Sequence, residues 1–298
     1  MFLQRLPLAA LLSLIVPADQ VLSAATTQYF ITFGDSYSQT GFEINGTLPN
    51  AANPLGNPTF PGYTTSGGAN WIGLLVSEYN VSTLLSYNFA YGGATTDADL
   101  VAPYEPTVLS LVDQVTEFSN SIASHPSTAP WTSDNTLFGV WMGVNDVGNS
   151  YYESNVTTIL DDVMNVYFDQ LKILYNAGAR NFVLLSVPPI QETPLMLDEG
   201  ETVDAQEAAI VAEYNDLLAT NLANFTATNT GVTAKLVNTT VSFQAVIDDP
   251  TAYGAANATC FDDDGTTCVW WNNYHPALAI HKLVAAQVAN VWKGDFFS

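Results

Sequence analysis

Basic side chains are scarce. Six Lys and Arg stand against 29 Asp and Glu, and the formal net charge is −23. Such a surface repels phosphate backbones and anionic lipid heads, which argues against nucleic-acid partners and polybasic membrane docking. Histidine is scarce too, with His125, His275 and His281 as the full set. Their spacing lacks a zinc pattern, and Asp262–Asp264 lacks the rest of a calcium-loop pattern, so no metal site and no cofactor is expected. Only two cysteines occur, Cys260 and Cys268, with FDDDGTT between them. In an oxidising compartment they are expected to pair, closing a loop too short to add much global stability. Past the first residues no apolar run is long enough to span a bilayer, so no stable membrane anchor is expected. Internal repeats, low-complexity tracts and linkers are missing as well.

What is present begins with an address. Arg5 precedes an apolar stretch, Leu6 to Val16, and small residues follow at Ser23, Ala24 and Ala25. Residues 1–25 therefore read as a secretory signal peptide, and residues 26–298 as one domain. At 48% hydrophobic and 12% aromatic, the chain as a whole has the make-up of a packed globule. After a signal peptide, six N-x-S/T sequons become candidate glycan sites: Asn45, Asn80, Asn155, Asn224, Asn238 and Asn257. The expected location is extracellular. Nothing in the chain speaks to oligomeric state, and a monomer is the default expectation.

Short β-branched and aromatic runs at 29–33, 85–89, 136–141, 181–187 and 234–237 alternate with helical patterns at 70–79, 108–122, 156–176, 203–225 and 277–292. In the fourth helix Glu207, Glu213 and Asp216 read as the wet face. The alternation predicts an α/β fold with a parallel sheet covered by helices on both sides. The segment 45–68, rich in Gly, Pro, Asn and Thr, reads as a long loop. Phe60 and Tyr63 would make it either a cleft wall or a solvated loop.

Ser36 sits in FGDSYSQTG, on a tight turn directly after the first strand. A serine there has its hydroxyl pushed out of the sheet and free backbone N–H groups around it. Gly92 and Gly93 follow the second strand, and Gly143 and Asn145 follow the third. Ligands of open parallel sheets bind outside the strands' carboxyl ends, so these groups are expected to converge. A nucleophilic serine needs a base. His275, held out of a helix by Pro276, is the leading candidate; His125 reads as solvated and His281 as packing or capping. The N–H groups of Ser36 and Gly93 and the Asn145 amide are the expected oxyanion donors.

Gly34-Asp35-Ser36, the Gly93 segment, Gly143-Val144-Asn145-Asp146 and the His275 segment together resemble the ordered blocks of the GDSL, or SGNH, hydrolases. The blocks run from Phe33 to Pro276. The resemblance implies a three-layer α/β/α sandwich with a five-stranded parallel, flavodoxin-like sheet, with Ser36, Gly93, Asn145 and His275 as functional residues and Asp35 as a structural turn residue. One departure matters. The family usually places Asp three residues before the His, and here that residue is Asn272. In a serine protease the corresponding swap cost on the order of 10⁴ in turnover. Asn272 could orient His275, an acid among Asp262, Asp263 and Asp264 could replace it, or the enzyme could be impaired.

Secretion, acidity, sequons and the WWNNYHP ending look like the secreted, mostly fungal acetylesterases of carbohydrate esterase family sixteen. That likeness implies a small ester or an acetylated hemicellulose oligosaccharide as the substrate. Tyr37, Tyr91, Trp141, Trp271 and Tyr274 could stack on sugars or pack in core and rim. A lipase, phospholipase or acyltransferase of the same fold is the alternative, and a non-catalytic binding protein on that scaffold a further one.

Overall fold

The structure is a computed structural model that describes residues 27–298; the expected signal peptide lies outside them. The strands are β1 (Gln28–Gly34), β2 (Leu84–Asn88), β3 (Thr136–Trp141), β4 (Asn181–Leu185) and β5 (Thr233–Val237). All pair in parallel, in the order β2-β1-β3-β4-β5. The first four are buried along almost their whole length, as continuous apolar runs in a covered parallel sheet should be. One helical layer contains α2 (Leu111–Ser121), α4 (Val156–Ala177) and α6 (Glu201–Thr228), packed in that sequence. The other contains α1 (Trp71–Leu74), α7 (Thr240–Asp248) and α8 (Leu278–Val291). The expected α/β/α sandwich is the observed one.

Local chemistry moves the helix bounds. The 70–79 helix begins after Asn70, whose side chain caps Ile72 and Gly73, and after one turn it widens into a π-helical turn, Leu75–Tyr79. The 108–122 helix begins at Leu111. Ser110 and Asp113 close a reciprocal capping box there and stop propagation toward residue 108. Gly178 ends α4 in a left-handed conformation, as expected. The short helices α3 (Val144–Gly148) and α5 (Pro194–Leu197), and also α7, were not anticipated. In α3 the Gly-Val-Asn-Asp start reads as a turn.

The wet-face assignment in α6 is corrected. Glu213 is half-buried and Asp216 exposed, but Glu207 is fully buried. Helix α6 packs against α3, α5 and the turn Ile190–Glu192, and Glu207 Oε1 would lie 4.0 Å from a Cβ on Gly148 of α3, so position 207 faces protein.

Connections leave β1 toward β2 on one side and β3 toward β4 and β5 on the other. The switch point therefore lies between β1 and β3, where Gly34 pairs with Trp141. The turn beyond β1 is held by buried amides. Asn70 Nδ2 donates to the carbonyls of Ser38 and Gln39, both at 2.9 Å, while its Oδ1 caps α1. Asn88 Nδ2 donates to the Ser38 carbonyl (2.8 Å) and to Thr40 Oγ1 (2.9 Å). Gln114 grips Gly34 from both sides, accepting from its N–H at 3.0 Å and donating to its carbonyl at 2.8 Å. Asn70→Ala removes a cap and strands two buried carbonyls. It should lower unfolding free energy by about 2–4 kcal/mol, read by denaturant titration.

Candidate active site

At Gly34 an added Cβ would lie 2.6 Å from the Trp141 carbonyl oxygen, so only glycine lets β1 and β3 approach this closely before the turn. The Asp35 carbonyl then accepts from the N–H groups of Ser38 (3.1 Å) and Gln39 (2.9 Å), and its carboxylate accepts from Tyr37 N–H at 2.9 Å. Asp35 is the turn residue the sequence suggests. Ser36 is left facing a cleft of about 610 Å³. Among the described residues, neither the Ser36 nor the Gly93 N–H donates to a protein acceptor.

The imidazole arrives from 239 residues away, with His275 Nε2 2.7 Å from Ser36 Oγ. Pro276 keeps His275 outside α8. The loop before it is braced by Trp271 N–H to the His275 carbonyl (2.8 Å), Ala277 N–H to the Val269 carbonyl (2.9 Å) and the Cys260–Cys268 disulfide. Two contacts tie this loop to the serine turn. Tyr37 Oη donates to the Tyr274 carbonyl at 2.6 Å. Thr65 Oγ1 donates to the Ser36 carbonyl at 2.9 Å, and in the same stretch Gly67 lies flat against Gly265. A Cβ on Gly265 would fall 2.3 Å from the Ser66 carbonyl oxygen, so that approach requires glycine.

Asn272 settles which ring nitrogen carries the proton. Its Oδ1 lies 2.9 Å from Tyr274 N, 2.8 Å from His275 N and 3.0 Å from His275 Nδ1. Two main-chain N–H groups aimed at one atom require that atom to be an acceptor, so the amide cannot flip to present its NH₂. His275 Nδ1 must then be the protonated nitrogen, and Nε2 keeps its lone pair toward Ser36. The alternative acids do not reach the ring. Asp262 Oδ1 accepts from Asp264 N–H, and Asp264 Oδ1 accepts from Thr266 and Thr267 N–H. Rings of Tyr37, Trp271 and Tyr274 stand 5.5, 6.1 and 5.8 Å from the imidazole centre. Burial lowers the proton affinity of His275 to a pKa of about 4.

Gly93 has φ +80°, a conformation that favours glycine, and Tyr104 Cβ would lie 2.6 Å from any Cβ added there. Asn145 Nδ2 donates one hydrogen to the Ala94 carbonyl at 2.9 Å, which leaves the other free toward the cleft it lines. Asp146, missed as more than a turn former, locks these pieces together. Its buried carboxylate takes the N–H (2.9 Å) and hydroxyl (3.2 Å) of Thr96. Burial pushes Asp35, Asp146 and Glu207 each up to about 7. Hydrogen bonds from Tyr37 and Thr96 hold the first two back, and Asp204 adds to the rise at Glu207.

The aromatic expectations divide. Tyr37 is corrected from substrate contact to support, because it is fully buried beneath His275. Trp141 is core, its indole N–H bonded to the Ser186 carbonyl at 3.0 Å. Trp271 donates its indole N–H to the Asp263 carbonyl at 3.1 Å and stands outside the cleft lining, as does Tyr91. Tyr274 lines the cleft. The 45–68 loop contributes Thr65 rather than Phe60 or Tyr63. His125, far from the cleft in sequence and space, is exposed, with its ring nitrogens near the Trp131 and Ala177 carbonyls. His281 packs inside α8, where burial lowers its pKa to about 3.

The family model described as GDSL-like Lipase/Acylhydrolase matches residues 30–288. The chain belongs to that family. Over 273 residues it is 60% identical to an acetylesterase of Thermothelomyces thermophilus, covering 91% of this chain and 90% of that one. It is 29% identical to an acetylesterase of Hypocrea jecorina over 202 residues, 60% of this chain and 54% of that protein. The acetylxylan esterase Axe2 of Geobacillus stearothermophilus shares the fold at a TM-score of 0.50 and 14% identity, covering 88% and 93% of the two chains.

With His275 titrating near 4, kcat/KM should stay level on acidification from neutrality and fall only as pH approaches about 4. Asn272→Asp places a carboxylate beside the ring, favours the imidazolium and should move that acid limb upward, whereas Asn272→Ala should lower kcat roughly 10²–10⁴-fold. Stability has opposing contributions. The three raised acids stay protonated in the fold while their unfolded counterparts ionise, so they lose stability as pH rises from their ordinary values through about 7. The two lowered histidines lose stability as pH falls from 6.5 toward 4 and 3. Three groups outweigh two, so the melting temperature should be higher at about pH 5 than at about pH 7.5.

Proposed function

We propose that the protein is a secreted acetylesterase that removes acetyl groups from neutral, hydroxyl-rich oligosaccharides of the plant cell wall. The observation that carries this is the character of the cleft. The chain has 29 acidic side chains, yet among the described residues none lines it, and no Lys or Arg does either. Amides are the most frequent side chains in the lining: Gln39, Asn145, Asn149, Asn272 and Asn273. Amides donate to and accept from hydroxyls without selecting for charge. The aliphatic share, Leu195 and Met196, is small for a site that must hold a long acyl chain. The 60% identity to an acetylesterase points the same way. All six sequon asparagines are exposed, which suits the glycosylated, extracellular part of the reading.

In the mechanism, Ser36 Oγ gives its proton to His275 Nε2 and attacks the ester carbonyl. Ser36 N–H, Gly93 N–H and Asn145 Nδ2 hold the oxyanion. Collapse of the tetrahedral adduct expels the sugar alcohol, which takes the proton from Nε2. Water, activated by the same nitrogen, then releases acetate and restores Ser36. Asn272 Oδ1 holds the Nδ1 proton throughout.

Acetate release from acetylated xylo-oligosaccharides tests the substrate class, and p-nitrophenyl esters of rising chain length test the acyl group. Rates should drop steeply beyond butyrate; a maximum at long chains would make this a lipid-directed enzyme. Ser36→Ala should lower kcat by roughly 10⁴–10⁶ and abolish fluorophosphonate labelling. Wild-type protein that does not label would leave a binding protein.

A further inference from the structure

We propose that Tyr104 is the stacking platform for the alcohol half of the ester, an inference that rests on the acetylesterase reading. The acyl carbonyl must reach the donors around Ser36 on the cleft floor. An acetyl group occupies little of about 610 Å³, so the remaining space and the rim belong to the alcohol. Tyr104 lines that cleft and is 80% exposed. A ring so exposed contributes little to folding by burial, so core packing does not account for an aromatic at this position.

The backbone beneath it is nonetheless fixed. Tyr104 N–H donates to the Gly93 carbonyl at 3.3 Å, and its Cβ packs over the Gly93 Cα. On the chain just before, Asn149 Nδ2 donates to the Ala102 carbonyl at 2.9 Å and Thr95 Oγ1 to the Val101 carbonyl at 2.8 Å. A bare ring on a pinned loop, one residue contact away from an oxyanion donor, is preorganised to hold a flat ligand face. A pyranose offers such a face through its axial C–H groups, while the neighbouring Asn149 amide can meet its hydroxyls. The platform discriminates between alcohols and takes no part in the proton transfers.

The test compares kcat/KM for an acetylated xylo-oligosaccharide with kcat/KM for ethyl acetate, which has no ring to stack. Tyr104→Ala should lower the ratio of the two roughly fivefold or more, chiefly through KM for the sugar ester. Tyr104→Phe and Tyr104→Trp should preserve the ratio, because stacking needs the ring and not the hydroxyl. An unchanged ratio in Tyr104→Ala overturns the proposal, including the case where both activities fall together, which would mean that the side chain only props Gly93. A wild-type enzyme that cleaves ethyl acetate but releases nothing from the sugar ester overturns the substrate reading itself, and is told apart because the wild type alone shows it.

Discussion

One oxygen atom governs the site. Asn272 Oδ1 receives two main-chain N–H groups and the imidazole Nδ1 at 2.8–3.0 Å. The two backbone donors make the orientation of the amide a property of the loop and not of the side chain's preference. In a serine protease, replacing the triad Asp by Asn leaves the histidine in the wrong tautomer. Here the loop forbids that outcome, so the same substitution leaves the reactive tautomer in place. What a neutral amide does not supply is charge stabilisation of the imidazolium, and a His275 pKa lowered to about 4 by burial is consistent with that lack.

Charge is sorted by depth. Among the described residues most acids lie at the surface, the cleft lining carries none, and three carboxyls lie buried close to the site elements. Asp35 shapes the serine turn and Asp146 ties the glycine segment to the start of α3, so two of the three have a positional task that a hydrogen-bond acceptor performs. Among the described residues Glu207 has no hydrogen-bond partner for either oxygen. An acidic surface with protonated acids inside suits surroundings below neutrality, where burying a carboxyl costs least.

The sheet and its flanking helices were legible because buried parallel strands are written as short apolar runs and long helices as 3.6-residue patterns. The four site blocks were legible because turn residues at strand ends have a place to go in such a sheet. What stayed hidden depends on tertiary partners. Asp146 looks like an ordinary turn former until Thr96, fifty positions earlier, is brought to it. Tyr37 reads as a rim aromatic because nothing local says that Phe243 and Trp141 will enclose it. Glu207 obeys the spacing of a wet face, and only the docking of α3 and α5 buries it. Tyr104 lies in a stretch without periodicity, where exposure cannot be read from pattern.

Ser36 and His275 stand 239 positions apart, the first just after β1 and the second just ahead of α8. During synthesis the serine therefore leaves the ribosome long before the histidine. A chain made only as far as the turn after β1 has the hydroxyl without the imidazole, and the 2.7 Å pair exists only once the segment ahead of α8 has been made and has met the serine turn.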